Sequence, residues 1–105
     1  MEGERSFSLK NGTKVYFNIK WLPVEEYRKM TVCVIETKAH KFYSGVAVRA
    51  PNDEFDLRTG RQVSLKRACE AMYHTKIVSH WNYKLIWSEI RCQLRQEKEE
   101  KNVEQ

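Results

Sequence analysis

Apolar and polar residues alternate with a period of two through the first half of the chain. Val15, Phe17, Ile19 and Trp21 fall in one phase and Tyr16, Asn18 and Lys20 in the other, which places the first set on a single sheet face. Upstream, Phe7 and Leu9 precede Asn11-Gly12, the dipeptide that best tolerates the positive φ angles of a two-residue type I′ turn. The spacing predicts a β-hairpin over residues 6–21, and Pro23 with the polar stretch to Arg28 ends it. Met30 to Ile35 is rich in β-branched residues, and Phe42 to Val48 repeats that character across the short connection Glu36 to His40. A four-stranded antiparallel meander is the simplest assembly. Gly45 inside its last strand predicts a bulge or the close approach of another backbone.

The period changes at Pro51. Asn52, Asp53, Glu54, Asp56 and Gly60 punctuate a loop, after which Val63, Leu65, Ala68, Cys69, Met72 and Tyr73 recur mostly at three and four residues. That spacing predicts a helix over roughly 61–74, capped by Thr59 or Ser64. Tyr83, Ile86, Trp87, Ile90 and Leu94 predict a second helix over roughly 79–97. Beyond Gln96 the sequence is charged and loses its apolar period, the signature of a frayed or disordered tail. The fold expected is therefore α+β. An N-terminal antiparallel four-stranded sheet is followed by two C-terminal helices in a single domain over residues 1–96, with a charged tail at 97–105.

Length and composition fit that picture. A chain of 105 residues holds one core, and 41% hydrophobic residues suffice to fill it. No apolar run approaches the roughly 18 to 20 residues that span a bilayer, so a cytoplasmic protein with no membrane partner is expected. Cys33, Cys69 and Cys92 are odd in number and widely spaced, which argues against a disulfide framework and reads as thiols in a reducing compartment.

Charge changes the picture more. The formal net charge is +5, but residues 97–105 carry four acids and two lysines, which leaves +7 on residues 1–96. A body this basic attracts polyanions and makes mimicry of DNA charge an unsuitable role.

The chemistry-bearing motifs are sparse. His40, His74 and His80 form no ligand spacing with the cysteines, so no metal site is expected, and neither G-x-S-x-G nor a glycine-rich phosphate cradle occurs. With no catalytic motif and no cofactor signature, binding is expected rather than turnover. Arg49, Arg58, Arg61, Lys66 and Arg67 gather where the last strand passes into the first helix, with Phe55 among them as a flat apolar surface. Arginine suits phosphate because its planar fork donates two parallel hydrogen bonds and also stacks on a base. Lys84, Arg91, Arg95 and Lys98 form a second basic stripe, expected opposite the apolar face of the second helix. Solvated faces are often basic, so both clusters also read as plain surface, with Asp53 and Asp56 pairing Arg58 and Arg61. Trp21 and Trp87 fall on apolar stripes and read as core, whereas Trp81, beside His80 and Asn82, reads as a ligand contact.

The run from Ser44 through Pro51 to Asp56, followed by Gly60-Arg61 and Leu65-Lys66-Arg67-Ala68, resembles a pattern in small phage-encoded proteins and covers about 25 residues. It is similar to phage counter-defence proteins, among them anti-Thoeris sponges that sequester a cyclic ADP-ribose signal. The resemblance implies an oligomeric, non-enzymatic protein of the host cytoplasm in which arginines and an aromatic enclose a nucleotide diphosphate. Phe55, Arg91 and Arg95 fit such a pocket by residue type. The expectation drawn from residues and resemblance together is a binder of an anionic nucleotide. Arg49, Arg58, Arg61, Arg67, Arg91 and Arg95 would hold its phosphates, and Phe55 and Trp81 would stack on its base. Two alternatives stand beside it: a nucleic-acid-binding module using the same arginines, and an inhibitor docking on a host defence or replication protein.

Overall fold

The computed structural model describes residues 4–21, 29–48 and 56–104, with Trp21 and the last seven residues given by backbone alone. Four strands, β1 (Arg5–Ser8), β2 (Lys14–Trp21), β3 (Lys29–Glu36) and β4 (Phe42–Val48), form one antiparallel sheet in chain order. Two helices follow, α1 (Leu57–Met72) and α2 (Lys76–Glu104). The α+β architecture is the one the sequence predicts.

Phase decides the two faces of the sheet. Register aligns Phe7, Val15, Ile35 and Tyr43 in one row and Arg5, Phe17, Cys33 and Gly45 in the next, so these residues share the face the helices cover. Phe7, Val15, Phe17, Cys33 and Ile35 are buried there with Leu65, Ala68 and Cys69 of α1 and Trp87 and Ile90 of α2. Phe7 meets Phe17 edge to face, their centroids 5.9 Å apart. Burial pushes both core thiols up, Cys69 to about 12, whereas Cys92 is exposed.

The register from Met30↔Val48 to Glu36↔Phe42 is unbroken, so Gly45 marks no bulge. It marks the other expectation, a close approach: a Cβ there would overlap the Ala68 nitrogen and the Ser64 carbonyl oxygen of α1. Gly60 has the same purpose one turn earlier, where a Cβ would overlap Thr31 Oγ1 on β3. Helix α1 therefore lies close on β4 and β3, backbone to backbone at Gly45 and with no side chain of its own at Gly60.

Several boundaries depart from the sequence reading, each for a local reason. Gly60 belongs to α1 instead of a loop, because Asp56 caps the helix, accepting from Arg58 N–H at 3.0 Å and from the Thr59 hydroxyl at 2.8 Å. These bonds hold the Asp56 carboxyl below the usual carboxylate range. Thr59 is thus in the first turn, and Ser64 is a buried mid-helix residue donating to Arg61 O. Helix α2 begins at Lys76 because the Thr75 hydroxyl accepts from Val78 N–H, and it continues to Glu104 instead of fraying at 97. The final residues are strong helix formers with no Gly or Pro, and Glu97 and Lys101 stand one turn apart.

The first hairpin closes with a three-residue loop instead of a type I′ pair. Leu9 N–H bonds Thr13 O at 2.8 Å, Gly12 N–H bonds Leu9 O at 3.1 Å, and of the loop residues Gly12 takes the positive φ, 90°. The β3–β4 hairpin repeats the device: Thr37 N–H bonds Lys41 O, His40 N–H bonds Thr37 O, and His40 takes φ 62°.

Candidate functional site

Helix α2 is tied to β1 by side chains four residues apart. Glu89 accepts from Lys10 N–H at 3.1 Å, Gln93 donates to Ser8 O at 3.0 Å, and Glu97 pairs with Arg5. This ladder fixes the rotation of α2, so the residues on its next shoulder, Trp87, Arg91, Leu94 and Arg95, turn toward the start of α1. Between them lies a pocket of about 800 Å³, lined by Arg5, Leu57, Arg58, Arg61, Trp87, Arg91, Leu94, Arg95 and Glu97. Such a volume lies within the range of small-molecule and cofactor sites.

Among the described residues, five guanidinium groups and one carboxylate border this pocket and together carry +4. The carboxylate is already committed to Arg5, whose guanidinium also lies over Phe7, 5.2 Å from the ring centroid. Arg61 stands over Phe17 at 5.7 Å. Burial, and next the nearby charge of Arg5, lower the proton affinity of Arg61, while Glu97 acts in the opposite sense. Guanidinium remains charged under such shifts, so the site holds cations that partial desolvation has made costly.

Two buried donors in the lining have no acceptor. Trp87 is 6% exposed, and its indole Nε1 lacks a hydrogen-bond partner, as does Nε of Arg61. An unsatisfied buried donor costs about 1 to 3 kcal/mol, which an acceptor entering the pocket would recover. The floor of Trp87, Leu57 and Leu94 is apolar, and the rim is cationic. That combination suits a ligand with anionic groups at its periphery and an uncharged body.

Four of the eight residues singled out in the sequence meet here: Arg58 and Arg61 from α1, Arg91 and Arg95 from α2. Arg91 and Arg95 flank the buried stripe of α2 and do not oppose it, which is why they reach the pocket. Arg67 does not converge; its Nη1 donates to Val46 O and caps the edge of β4. Trp81 is also elsewhere, exposed beside a separate hollow of about 460 Å³ with Lys66, Glu70 and Lys76. It lies too far along α2 to stack on a ligand of the arginine pocket. Arg49 and Phe55 lie outside the described residues, as does the pairing of Asp53; Asp56 is engaged in capping. Sequence reasoning missed Arg5, Leu57, Trp87 as a lining residue, Leu94 and Glu97. Arg5 left a signal, since it shares the phase of Phe7 and Leu9 and thus faces the helices.

Among the described residues no three His, Cys, Asp or Glu side chains gather as a metal site would need, and no helix is long and apolar enough to cross a membrane. No protein-family profile, curated protein or solved structure matches the chain.

Proposed function

We propose that the protein binds, without turnover, a phosphorylated anion of nucleotide size in the pocket between the start of α1 and the second half of α2. The supporting observation is the convergence of Arg5, Arg58, Arg61, Arg91 and Arg95 on one hollow against a single carboxylate among the described residues, with two buried donors lacking acceptors. The +4 of the described lining, in a partly desolvated site, favours a ligand with two or more phosphate charges over a monoanion, because each charge-assisted contact there is stronger than at an exposed surface. The described lining residues include no hydroxyl, thiol or imidazole, and their one carboxylate, Glu97, is paired with Arg5, which supports holding charge over attack or proton transfer. Sequestration of a cyclic nucleotide signal by a phage counter-defence protein, which the sequence resemblance implies, requires this kind of binding alone. Its aromatic partner for a base would be neither Trp81 nor the buried face of Trp87.

A nucleic-acid module is the competing reading. Isothermal titration calorimetry with a nucleoside diphosphate and with DNA and RNA oligonucleotides of increasing length, at about 50 and 200 mM salt, separates them. The pocket reading expects a 1:1 complex with the nucleotide, about 10 μM or tighter at the lower salt. It also expects an oligonucleotide affinity that does not grow with length. Length-dependent binding that collapses at the higher salt, with no nucleotide complex, would favour the nucleic-acid module instead.

A further inference from the structure

Helix α2 carries a second apolar stripe on the side that none of the described elements covers. Ile77, Val78, Trp81 and Leu85 are 75, 43, 65 and 65% exposed, and Ser88 and Cys92 continue the same line exposed. Val78, Trp81, Leu85, Ser88 and Cys92 alternate at three and four residues, the spacing that keeps one seam of a helix facing a partner helix through a supercoil. Isolated exposed apolar residues need no explanation, but an aligned set running about 21 Å along one helix marks an interaction surface. The buried stripe of Tyr83, Ile86, Trp87, Ile90 and Leu94 occupies another side of the same helix, so the exposed seam adds nothing to the monomer's core.

We infer that this seam docks a second copy of the chain, α2 against α2 in parallel register. Charge complementarity carries the choice of occupant and of direction. In heptad terms Lys84 flanks the seam on one side and Glu89 on the other, five residues further on. That is the separation at which flanking residues of two parallel helices meet across the interface. Each copy would therefore contribute Lys84 to Oε1 of the other copy's Glu89, whose Oε2 already accepts from Lys10 N–H. An antiparallel arrangement sets Lys84 near Arg91 instead, a like-charge contact that disfavours it. The next seam position beyond Cys92 is Arg95, which lines the pocket, so the contact ends at Cys92 and leaves both pockets open. Two heptads make a small interface, and the dimer is accordingly a weak one, with a dissociation constant on the order of 10 μM.

Sedimentation equilibrium of the full chain from about 1 to 300 μM tests this across the affinity range expected of a small interface. Wild type is expected to shift from monomer to dimer, and Leu85→Glu and Trp81→Glu each to weaken association at least tenfold. Both positions are exposed, and unchanged far-UV circular dichroism would show the fold retained. Lys84→Glu, which would set like charges against Glu89 across the seam, is expected to weaken the dimer. Mild oxidation is expected to give a covalent dimer that Cys92→Ser abolishes, because identical seam positions face each other in the parallel register. A wild type monomeric throughout, or a dimer indifferent to Leu85→Glu, would overturn the proposal. A dimer that Cys92 never cross-links would overturn the parallel register.

Discussion

The Arg61 guanidinium stands over the face of Phe17, 5.7 Å from the ring centroid, with its Nε buried and unpartnered. A cation in that position gains about 1 to 2 kcal/mol from the ring but is desolvated and lies near Arg5. The two effects nearly cancel, so Arg61→Met is expected to change stability by less than about 1 kcal/mol in urea denaturation. The same variant is expected to weaken pyrophosphate binding at least tenfold by calorimetry. A large loss of stability would mean that Arg61 serves the fold and not a ligand.

The motif that carries the phage resemblance has a structural content of its own. Gly45 admits the backbone of α1 at Ser64 and Ala68, so Gly45→Ala is expected to destabilise by about 3 kcal/mol, as overpacking against rigid backbone does. Denaturant midpoints would measure it.

Gly60 behaves differently because its neighbour is a side chain. Glycine inside a helix costs up to about 1 kcal/mol relative to alanine, but Gly60→Ala would collide with Thr31 Oγ1, which has no hydrogen-bond partner. The substitution is expected to destabilise wild type and to stabilise a Thr31→Ala background, a sign reversal that a double-mutant cycle detects.

His40 holds in one hairpin the left-handed position that Gly12 holds in the other. His40→Gly removes that strain at the expense of an exposed contact with Glu36, and a net gain of about 0.5 to 1 kcal/mol is expected at neutral pH. Thermal unfolding of the two proteins checks it.

Acid should expose two carboxylates. Hydrogen bonds from His40 and then Tyr16 hold Glu36 below its ordinary value, and those from Thr59 hold Asp56 below its own. A depressed carboxylate stabilises the fold fully above its unfolded pKa and ceases to do so as pH falls through the folded value. The loss therefore begins below about pH 4.3 for Glu36 and about pH 3.9 for Asp56. Asp56→Asn, which keeps a cap but cannot ionise, is expected to flatten the acid limb of a stability profile.

Period and register were legible from sequence, because Phe7, Val15, Phe17 and Ile35 leave a two-residue rhythm and Ile90 and Leu94 a helical one. Gly60 and Asp56 were misread, since a glycine and an acid next to Pro51 look like a loop until tertiary packing requires a helix without a side chain beside Thr31. The pocket was half legible. Arginines on α1 and α2 stood out as residue types, but whether Arg67 or Arg61 joins Arg91 depends on helix rotation. Close approaches at Gly45 and Gly60 set α1, and Glu89, Gln93 and Glu97 set α2 against Lys10, Ser8 and Arg5, the latter relations between residues some 80 to 90 positions apart that no local pattern carries.

The pocket's function rests on the buried indole of Trp87 and the arginines around it receiving an anion. The three tryptophans give three indole N–H resonances in a ¹⁵N-correlated spectrum, assignable by substitution of Trp21 and Trp81. On titration with pyrophosphate the Trp87 resonance is expected to move and saturate while that of Trp81 stays fixed. A Trp87 signal unmoved at millimolar pyrophosphate, or a shift confined to Trp81, would contradict an anion site in this pocket.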